Sequence, residues 1–405
     1  MIKVQKFGGT SVATEQQRRN IAQNAVVQIQ KNNNLKLVLV VSAMGREGSP
    51  YATDTLLNLL KKHSETSKSK IDLLLSCGEI ISAVLLASEV ESHNVQCSIL
   101  TGWNMGIKTD TKFTNANILE VNDTNFKKAF KEHSIIVIPG FQGLTNTNEI
   151  STLGRGGSDI TAVAVGDALK AESVEIFTDV KGVMTADPKI VPSAHKLKEI
   201  TYEEIFQMAN GGAKVIHPRA VEMAMKANLN LWIKSTDFKD QGTSIKKVHS
   251  LLHDNKTTNK IITGIADIKG LLQYSVYFDK EDKRLELELF KRIADNDVSL
   301  DLINLTPKLK VFTVPQKDRQ EVDKVLNYHN LSYEVVKDCT KITIIGAAME
   351  GKPGVMSKIL EPLFESKIPI LQTADSHVNI SILVKSVYAK SAINALHKSL
   401  IEKRW

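Results

Sequence analysis

The chain has 405 residues, 42% apolar and 24% charged, enough for two or three domains with cores of their own. Its net charge of +7 is carried by Lys and Arg that alternate with Asp and Glu, and aromatic residues are only 5%, so no nucleic-acid partner is expected. Cys77, Cys97 and Cys339 show neither C-x-x-C spacing nor a histidine pattern, which argues against a disulfide framework or a protein-held metal and fits a reducing cytoplasm.

In chain order, Ile2–Phe7 reads as a strand and Glu15–Lys31 carries helical periodicity. Leu35–Ser42 is a continuous apolar run, as expected of a strand buried on both faces. Ile71–Glu91 reads as a long helix, Val95–Leu100 as a strand, Asn125–Glu132 as a helix and Ser134–Pro139 as another buried strand. Ser158–Lys170 is an alanine-rich helix for which Ser158 or Asp159 would supply the cap. A strand at Ser173–Thr178, helices at Tyr202–Asn210 and Pro218–Asn228 and a strand at Leu229–Lys234 follow. Strands alternating with helices predict a largely parallel three-layer α/β/α sandwich.

From about residue 236 the composition turns polar, and two units follow, roughly 261–335 and 340–403. Each reads strand, helix, two strands, helix, the pattern of paired ferredoxin-like modules. The start of the chain lacks the basic-then-apolar run of a signal peptide, and no apolar stretch reaches the ~20 residues of a membrane span. A cytoplasmic protein without a membrane partner is expected.

Two glycine-rich junctions carry the chemistry. Lys6-Phe7-Gly8-Gly9-Thr10-Ser11 closes the first strand, and Leu153-Gly154-Arg155-Gly156-Gly157-Ser158-Asp159 opens a helix. Both set paired glycines beside a cation and a hydroxyl, where backbone N–H groups and a helix N-terminus suit an anion. Two such junctions imply several phosphates, or a phosphate passing between two ligands. Gly346–Lys352 approaches a Walker A loop, but Pro353 stands where Ser or Thr must reach Mg²⁺. Gly154-x-Gly156 lacks the third Rossmann glycine, and no His-Arg-Asp or Asp-Phe-Gly set marks a protein kinase.

Seven motifs in order give the chain a resemblance. They are Lys6-Phe-Gly-Gly-Thr-Ser-Val12, Val41-Ser-Ala-Met-Gly45, Ser76-Cys-Gly-Glu79-x-x-Ser82-Ala83, Pro139-Gly-Phe141-x-Gly143, Leu153-Gly-Arg-Gly-Gly-Ser-Asp159, Thr178-Asp179-Val-x-Gly-Val-x-Thr-Ala-Asp-Pro188 and Gly212-Ala-Lys214-Val-Ile-His-Pro218. The chain resembles the aspartate kinases of the amino-acid-kinase superfamily, and its tail resembles their tandem ACT modules. The resemblance implies a sandwich of the carbamate-kinase-like type over residues 1–245, a linker at 246–260, and βαββαβ ACT modules at 261–336 and 337–405.

The implied reaction is ATP plus L-aspartate giving ADP and 4-phospho-L-aspartate. The attacking β-carboxylate has a pKa near 3.9 and is already ionised at pH 7, so no general base is needed. The obstacle is an anion approaching a polyanion. Catalysis then consists of positioning and cationic neutralisation, with Mg²⁺ riding on the phosphates and no metal held by the protein alone.

Lys6 and Lys214 match the cations on the transferring group, and Asp159 the carboxylate that orients them; taken alone, Asp159 reads as a helix cap. The nucleotide would meet Lys6, Phe7, Gly8, Gly9, Ser11, Thr178, Asp179, Met184, Lys189 and Lys214. Gly8 and Gly9 would let the backbone approach the phosphates where a Cβ would collide. Lys181 and Met184 depart from the usual aspartate and aromatic residue there. Glu79 matches the group that takes the substrate ammonium and Arg155 the fork for its α-carboxylate, with Thr53, Phe141, Gly156, Gly157 and Ser158 lining the remainder.

Ser299, Leu300 and Asp301 match effector-contacting positions of lysine-sensitive relatives. Lysine leads as the effector with threonine second, and a homo-oligomer through the ACT modules is implied. Two other readings share these motifs: a same-fold kinase with another acceptor, and an amino-acid-sensing regulator with an inactive kinase domain.

Overall fold

The computed structural model describes residues 1–60, 65–213, 215–247, 261–279, 281–346, 349 and 352–403. It divides into two compact units. The first comprises residues 1–183, 196–209 and 214–254, and the second residues 184–195, 210–213 and 255–405.

The first unit is built on an eight-stranded sheet. Its order from edge to edge is Glu199–Thr201, Thr243–Lys246, Leu231–Ser235, Ser173–Thr178, Ile2–Phe7, Lys36–Val41, Ile135–Pro139 and Ser98–Ile99. All neighbours run parallel except Leu231–Ser235 against Thr243–Lys246. Helices Glu15–Lys31 and Lys68–Glu91 cover one face; Gly157–Ala168 lies on the other, backed by Pro218–Ala227.

Strand alternation sorts the side chains between these faces. Phe7, Leu37, Leu39, Val41, Ile135 and Val137 share a core with Ile21, Ala22, Leu86 and Val90 of the first pair of helices. Lys6, out of phase with Phe7, is left for the face that carries Gly157–Ala168. A second sheet of four short strands, ordered Ile118–Val121, Ile107–Thr109, Gln142–Leu144 and Ile150–Thr152, is not anticipated by the sequence patterns.

Three expectations change. Gly157–Ala168 is capped by Gly156 in a left-handed conformation, with no side-chain cap from Ser158 or Asp159. The Val95–Leu100 strand shrinks to Ser98–Ile99. Lys68–Glu91 is long and apolar enough to cross a membrane by composition. Its Ala83, Leu86 and Val90 instead pack in the core of the unit, and its Asp72 and Glu79 are buried within the protein as well.

The second unit holds a six-stranded antiparallel sheet ordered Asp301–Leu305, Leu309–Pro315, Gly264–Tyr277, Ser332–Ile345, Asn379–Lys385 and Gln372–Ser376. Its two central strands each serve both ferredoxin-like halves. Leu271–Tyr277 pairs with Leu309–Pro315 and with Ser332–Cys339 in one half. Gly264–Ile268 pairs with Lys341–Ile345 in the other. The register shifts between Ile268 and Leu271, where Gly270 is left-handed, as is Asp338 in the partner strand.

The modules are therefore interleaved rather than laid end to end. Gly264–Ile268, expected within the first module, instead completes the sheet of the second, and Ile265 shares its core with Ile342, Ile344 and Ile382. The segment 184–195 also joins this unit: Ala186, Ile190 and Val191 enter the same core. Thr185 Oγ1 meets the buried His397 Nε2 at 2.9 Å, while His397 Nδ1 meets Glu402 at 3.0 Å. Of the expected linker 246–260, Lys246 closes the strand Thr243–Lys246, and residues 248–260 lie outside the described residues.

Replacing Ile265 by alanine should cost about 2–5 kcal/mol of unfolding free energy. Amide exchange should then rise in Asn379–Lys385 before Leu309–Pro315. The reverse order would place Ile265 in the first module's core.

Candidate active site

The first strand delivers Lys6 to the start of the helix Gly157–Ala168. Lys6 Nζ lies 2.6 Å from Asp159 Oδ1, with both side chains almost buried. Asp159 Oδ2 accepts the backbone N–H of His217 at 3.3 Å. That carboxylate thus joins the strand that ends in the first glycine junction to the helix Pro218–Ala227, for which His217 is the N-cap. Lys214, the other expected cation, lies outside the described residues.

The two glycines of the first junction do different things. A Cβ on Gly8 would stand 3.7 Å from Lys6 Nζ, an ordinary contact. A Cβ on Gly9 would stand 2.5 Å from the Ala43 carbonyl and 2.7 Å from that of Gly45. Gly9 is therefore required by the protein's own turn, which is closed by Gly45 N–H donating to Gly9 O at 2.9 Å. Ser11 Oγ is buried with no protein partner among the described residues.

The ring of Phe7 stacks on Phe177 at 4.9 Å between centroids and is buried, so its side chain is core and only its main chain can serve a ligand. Thr178 ends the neighbouring strand, and its hydroxyl donates to Asp179. Asp179 is exposed and pairs with Arg46 at 2.9 Å. Met184 and Lys189 belong to the second unit, the former half-buried and the latter exposed.

On the acceptor side, Gly78 lets the helix Lys68–Glu91 approach closely. A Cβ there would lie 2.7 Å from Tyr51 O and 2.9 Å from Ala43 Cβ. Glu79 is thereby brought to the Ala43 turn, and its Oε1 accepts the Ala43 N–H at 3.1 Å. Oε2 has no partner among the described residues, in a side chain only 2% exposed. Burial pushes this carboxyl up to about 8, only partly opposed by the Ala43 hydrogen bond. A buried carboxylate with one free oxygen is suited to a cation brought by a ligand. Thr53, half-buried, opens the short helix Thr53–Asn58 whose Leu56 also packs near Gly78.

The second glycine junction is compressed between Phe141 and His217. Gly156, at φ +70°, would put a Cβ 2.2 Å from the His217 side chain, and Gly157 would put one 2.6 Å from the Phe141 ring. Phe141 itself has φ +70° and donates its N–H to Thr161 Oγ1. Ser158 is buried against Gly140, whereas Arg155 projects into solvent. Burial lowers the His217 pKa, with Asp159 opposing and Arg219 and Arg155 reinforcing the shift, so the ring is neutral near pH 7. Its Nδ1 accepts the Arg219 N–H at 3.3 Å. His217 reads as structural from sequence; only the fold brings it to Asp159.

Ser299, Leu300 and Asp301 lie together at the start of the edge strand of the second unit. Ser299 is exposed and Leu300 packs against the first module's core. Asp301 Oδ2 pairs with Lys341 from the central strand. Among the described residues no cluster of His, Cys, Asp and Glu has the arrangement of a metal site.

Residues 1–235 match the amino acid kinase family, and residues 334–398 match an ACT domain. Aspartokinase 1 of Bacillus subtilis is 42% identical over 398 residues, 98% of either chain. The aspartokinase of Geobacillus stearothermophilus is 37% identical, covering 98% of this chain and 97% of its own. In fold, the chain is similar to E. coli aspartokinase III solved with aspartate and ADP, with a TM-score of 0.80 at 23% identity, covering 99% of this chain and 100% of that one.

A carboxyl raised to about 8 makes the folded state bind a proton that the unfolded chain has released above pH 4.5, so its contribution to stability falls as pH rises between those values. Glu79→Gln removes this term. Urea unfolding at pH 6 and pH 9 should show the variant gaining on the unsubstituted protein at the higher pH; a constant difference between them would contradict the assignment.

Proposed function

The chain belongs to the amino acid kinase family and, within it, to the aspartokinases, and from this premise we infer how its residues transfer phosphate from ATP to the β-carboxylate of L-aspartate. The observation that carries the residue assignment is the pairing of Lys6 with Asp159 in one glycine-lined corner, while in another Glu79 keeps its buried Oε2 without a partner among the described residues.

Aspartate presents an ammonium and two carboxylates. Glu79 Oε2 receives the ammonium, which supplies the counter-charge that the buried carboxyl lacks. Arg155 swings from solvent to hold the α-carboxylate in a bidentate fork. Thr53, Phe141, Gly156, Gly157 and Ser158 shape the remaining wall. The β-carboxylate is thereby pointed at the Lys6 corner.

The fit to ATP rests on the same corner: a lysine held by a carboxylate, glycine main chain beside it, and a buried Ser11 hydroxyl without a partner. Bound ATP supplies the transferable phosphoryl group, with Mg²⁺ screening its charge. Lys6 and Lys214 neutralise the equatorial oxygens, and Asp159 keeps Lys6 aimed. One unit-charge contact at 4 Å is of order 4 kcal/mol at an effective dielectric of about 20, so each cation carries a large share of the rate. Thr178 and Asp179, at the end of the strand beside the one that carries Lys6, serve the nucleoside end.

The ACT modules bind an amino acid, lysine first and threonine second, at Ser299–Asp301, where Lys341 already holds the carboxylate of Asp301. They also join copies of the chain. The product feeds lysine, threonine and methionine synthesis in the cytoplasm.

An ATP/aspartate assay with hydroxylamine should trap aspartyl hydroxamate; none, or equal trapping with glutamate, would remove the acceptor assignment. Lys6→Ala should lower kcat by roughly 10²–10³-fold, the scale of one lost transition-state contact. Full activity in that variant would move the cation elsewhere. The ratio kcat/KM for aspartate should rise with pH through about 8 as Glu79 ionises, and Glu79→Gln should abolish that limb. Lysine at saturating concentration should raise the melting temperature, and a flat response to lysine and threonine alike would leave the effector site without a ligand.

A further inference from the structure

The acceptor loop, residues 153–158, is gripped just before and at its first residue by two charged side chains that are not among the expected ligand-contacting residues. Asp72 lies seven residues ahead of Glu79 on the same helix and is fully buried. Its Oδ1 accepts the Thr152 hydroxyl at 2.7 Å and its Oδ2 the Thr152 N–H at 2.7 Å, while both oxygens take the Thr114 N–H, at 3.1 and 2.9 Å. Burial raises the pKa of this carboxyl, and these hydrogen bonds oppose the rise.

Arg219 grips the loop from the other side. Its guanidinium donates to the Leu153 carbonyl at 3.1 Å, to Asn115 Oδ1 at 3.0 Å, to Asn117 Oδ1 at 3.2 Å and to the Ala116 carbonyl at 3.4 Å. Thr152 and Leu153 are consecutive, so the chain entering the loop has no freedom to slide. Two details show how tight the fit is. Thr114, held by Asp72, has φ +72°, a left-handed conformation unfavourable for a β-branched residue. Gly154 has φ +73° and would put a Cβ 2.7 Å from Asn115 Oδ1.

We propose that Asp72 and Arg219 are positioning residues that fix the acceptor loop and thereby set the affinity for aspartate. Asp72 and Glu79 are two helical turns apart on one rigid helix, so that helix fixes both the group that takes the ammonium and the base of the loop that brings Arg155 to the α-carboxylate. Arg219 follows His217, so the element that reaches Asp159 also clamps Leu153. A purely structural role would affect stability or both substrates together; a positioning role separates the substrates.

The proposal rests on aspartate being the acceptor. In Asp72→Asn, an amide faces donors that need an acceptor, and KM for aspartate should rise ~10- to ~100-fold, while KM for ATP stays within about twofold. Arg219→Lys, which keeps the charge but not the fork, should do the same and serves as the second variant should Asp72→Asn fail to fold. Amide exchange, read on the free protein, should quicken across residues 152–158 and stay unchanged in Lys36–Val41. Parallel rises in both KM values, or unaltered exchange in the loop, would overturn the clamp. If the unsubstituted protein fails to turn over aspartate, the reaction assignment falls and the clamp is decided by exchange alone.

Discussion

The contact between Lys6 and Asp159 is the constraint on which the remainder of the active site depends. An ion pair with both members nearly buried contributes little net stability, because desolvating two charges cancels most of their attraction. Its value is geometric. The carboxylate fixes where the ammonium stands, and in the proposed reaction the cation would be in place before a phosphate arrives. The pair also closes a circuit through the fold: Lys6 comes from the central strand, Asp159 from the helix on one face, and the second oxygen of Asp159 reaches the helix that follows His217.

Strand phase makes that circuit possible. Lys6 and Phe7 are neighbours in sequence and opposites in space. One goes to the helix with Asp159, the other into an aromatic cluster with Phe177 and Phe238. A slip of one residue in the pairing with Lys36–Val41 would exchange them, putting the charge into the apolar core and the ring beside Asp159. The apolar run Leu37–Val41 holds the register, so a core of ordinary aliphatic residues positions the lysine that meets Asp159.

The parallel sheet was legible because strands buried on both faces leave uninterrupted apolar runs, and both glycine junctions were legible because few other residues tolerate such turns. The meaning of individual glycines was not. Gly9 reads as room for a phosphate, yet its missing Cβ is required by Ala43 and Gly45. The four short strands around Thr109 and Thr152 were invisible, being too short and mixed in polarity to show a period. The placement of Ala186, Ile190 and Val191 in the second unit's core, and the roles of Asp72, His217 and Arg219, depend on partners far along the chain. Such partnerships have no local signature, and a carboxylate on a long apolar helix reads only as an interruption.

The interleaving of the ACT modules has an evolutionary reading. Leu271 and Cys339, where the chain enters and leaves the first module, are paired neighbours in the sheet. Everything between them is an excursion whose two ends emerge side by side, so the module is a cassette set into the second one. Its surface can be rewritten, or exchanged for another sequence of the same span, while the strands Gly264–Ile268 and Lys341–Ile345 go on pairing as before. A lineage can change everything between Leu271 and Cys339 without rebuilding the strands that hold that excursion in place.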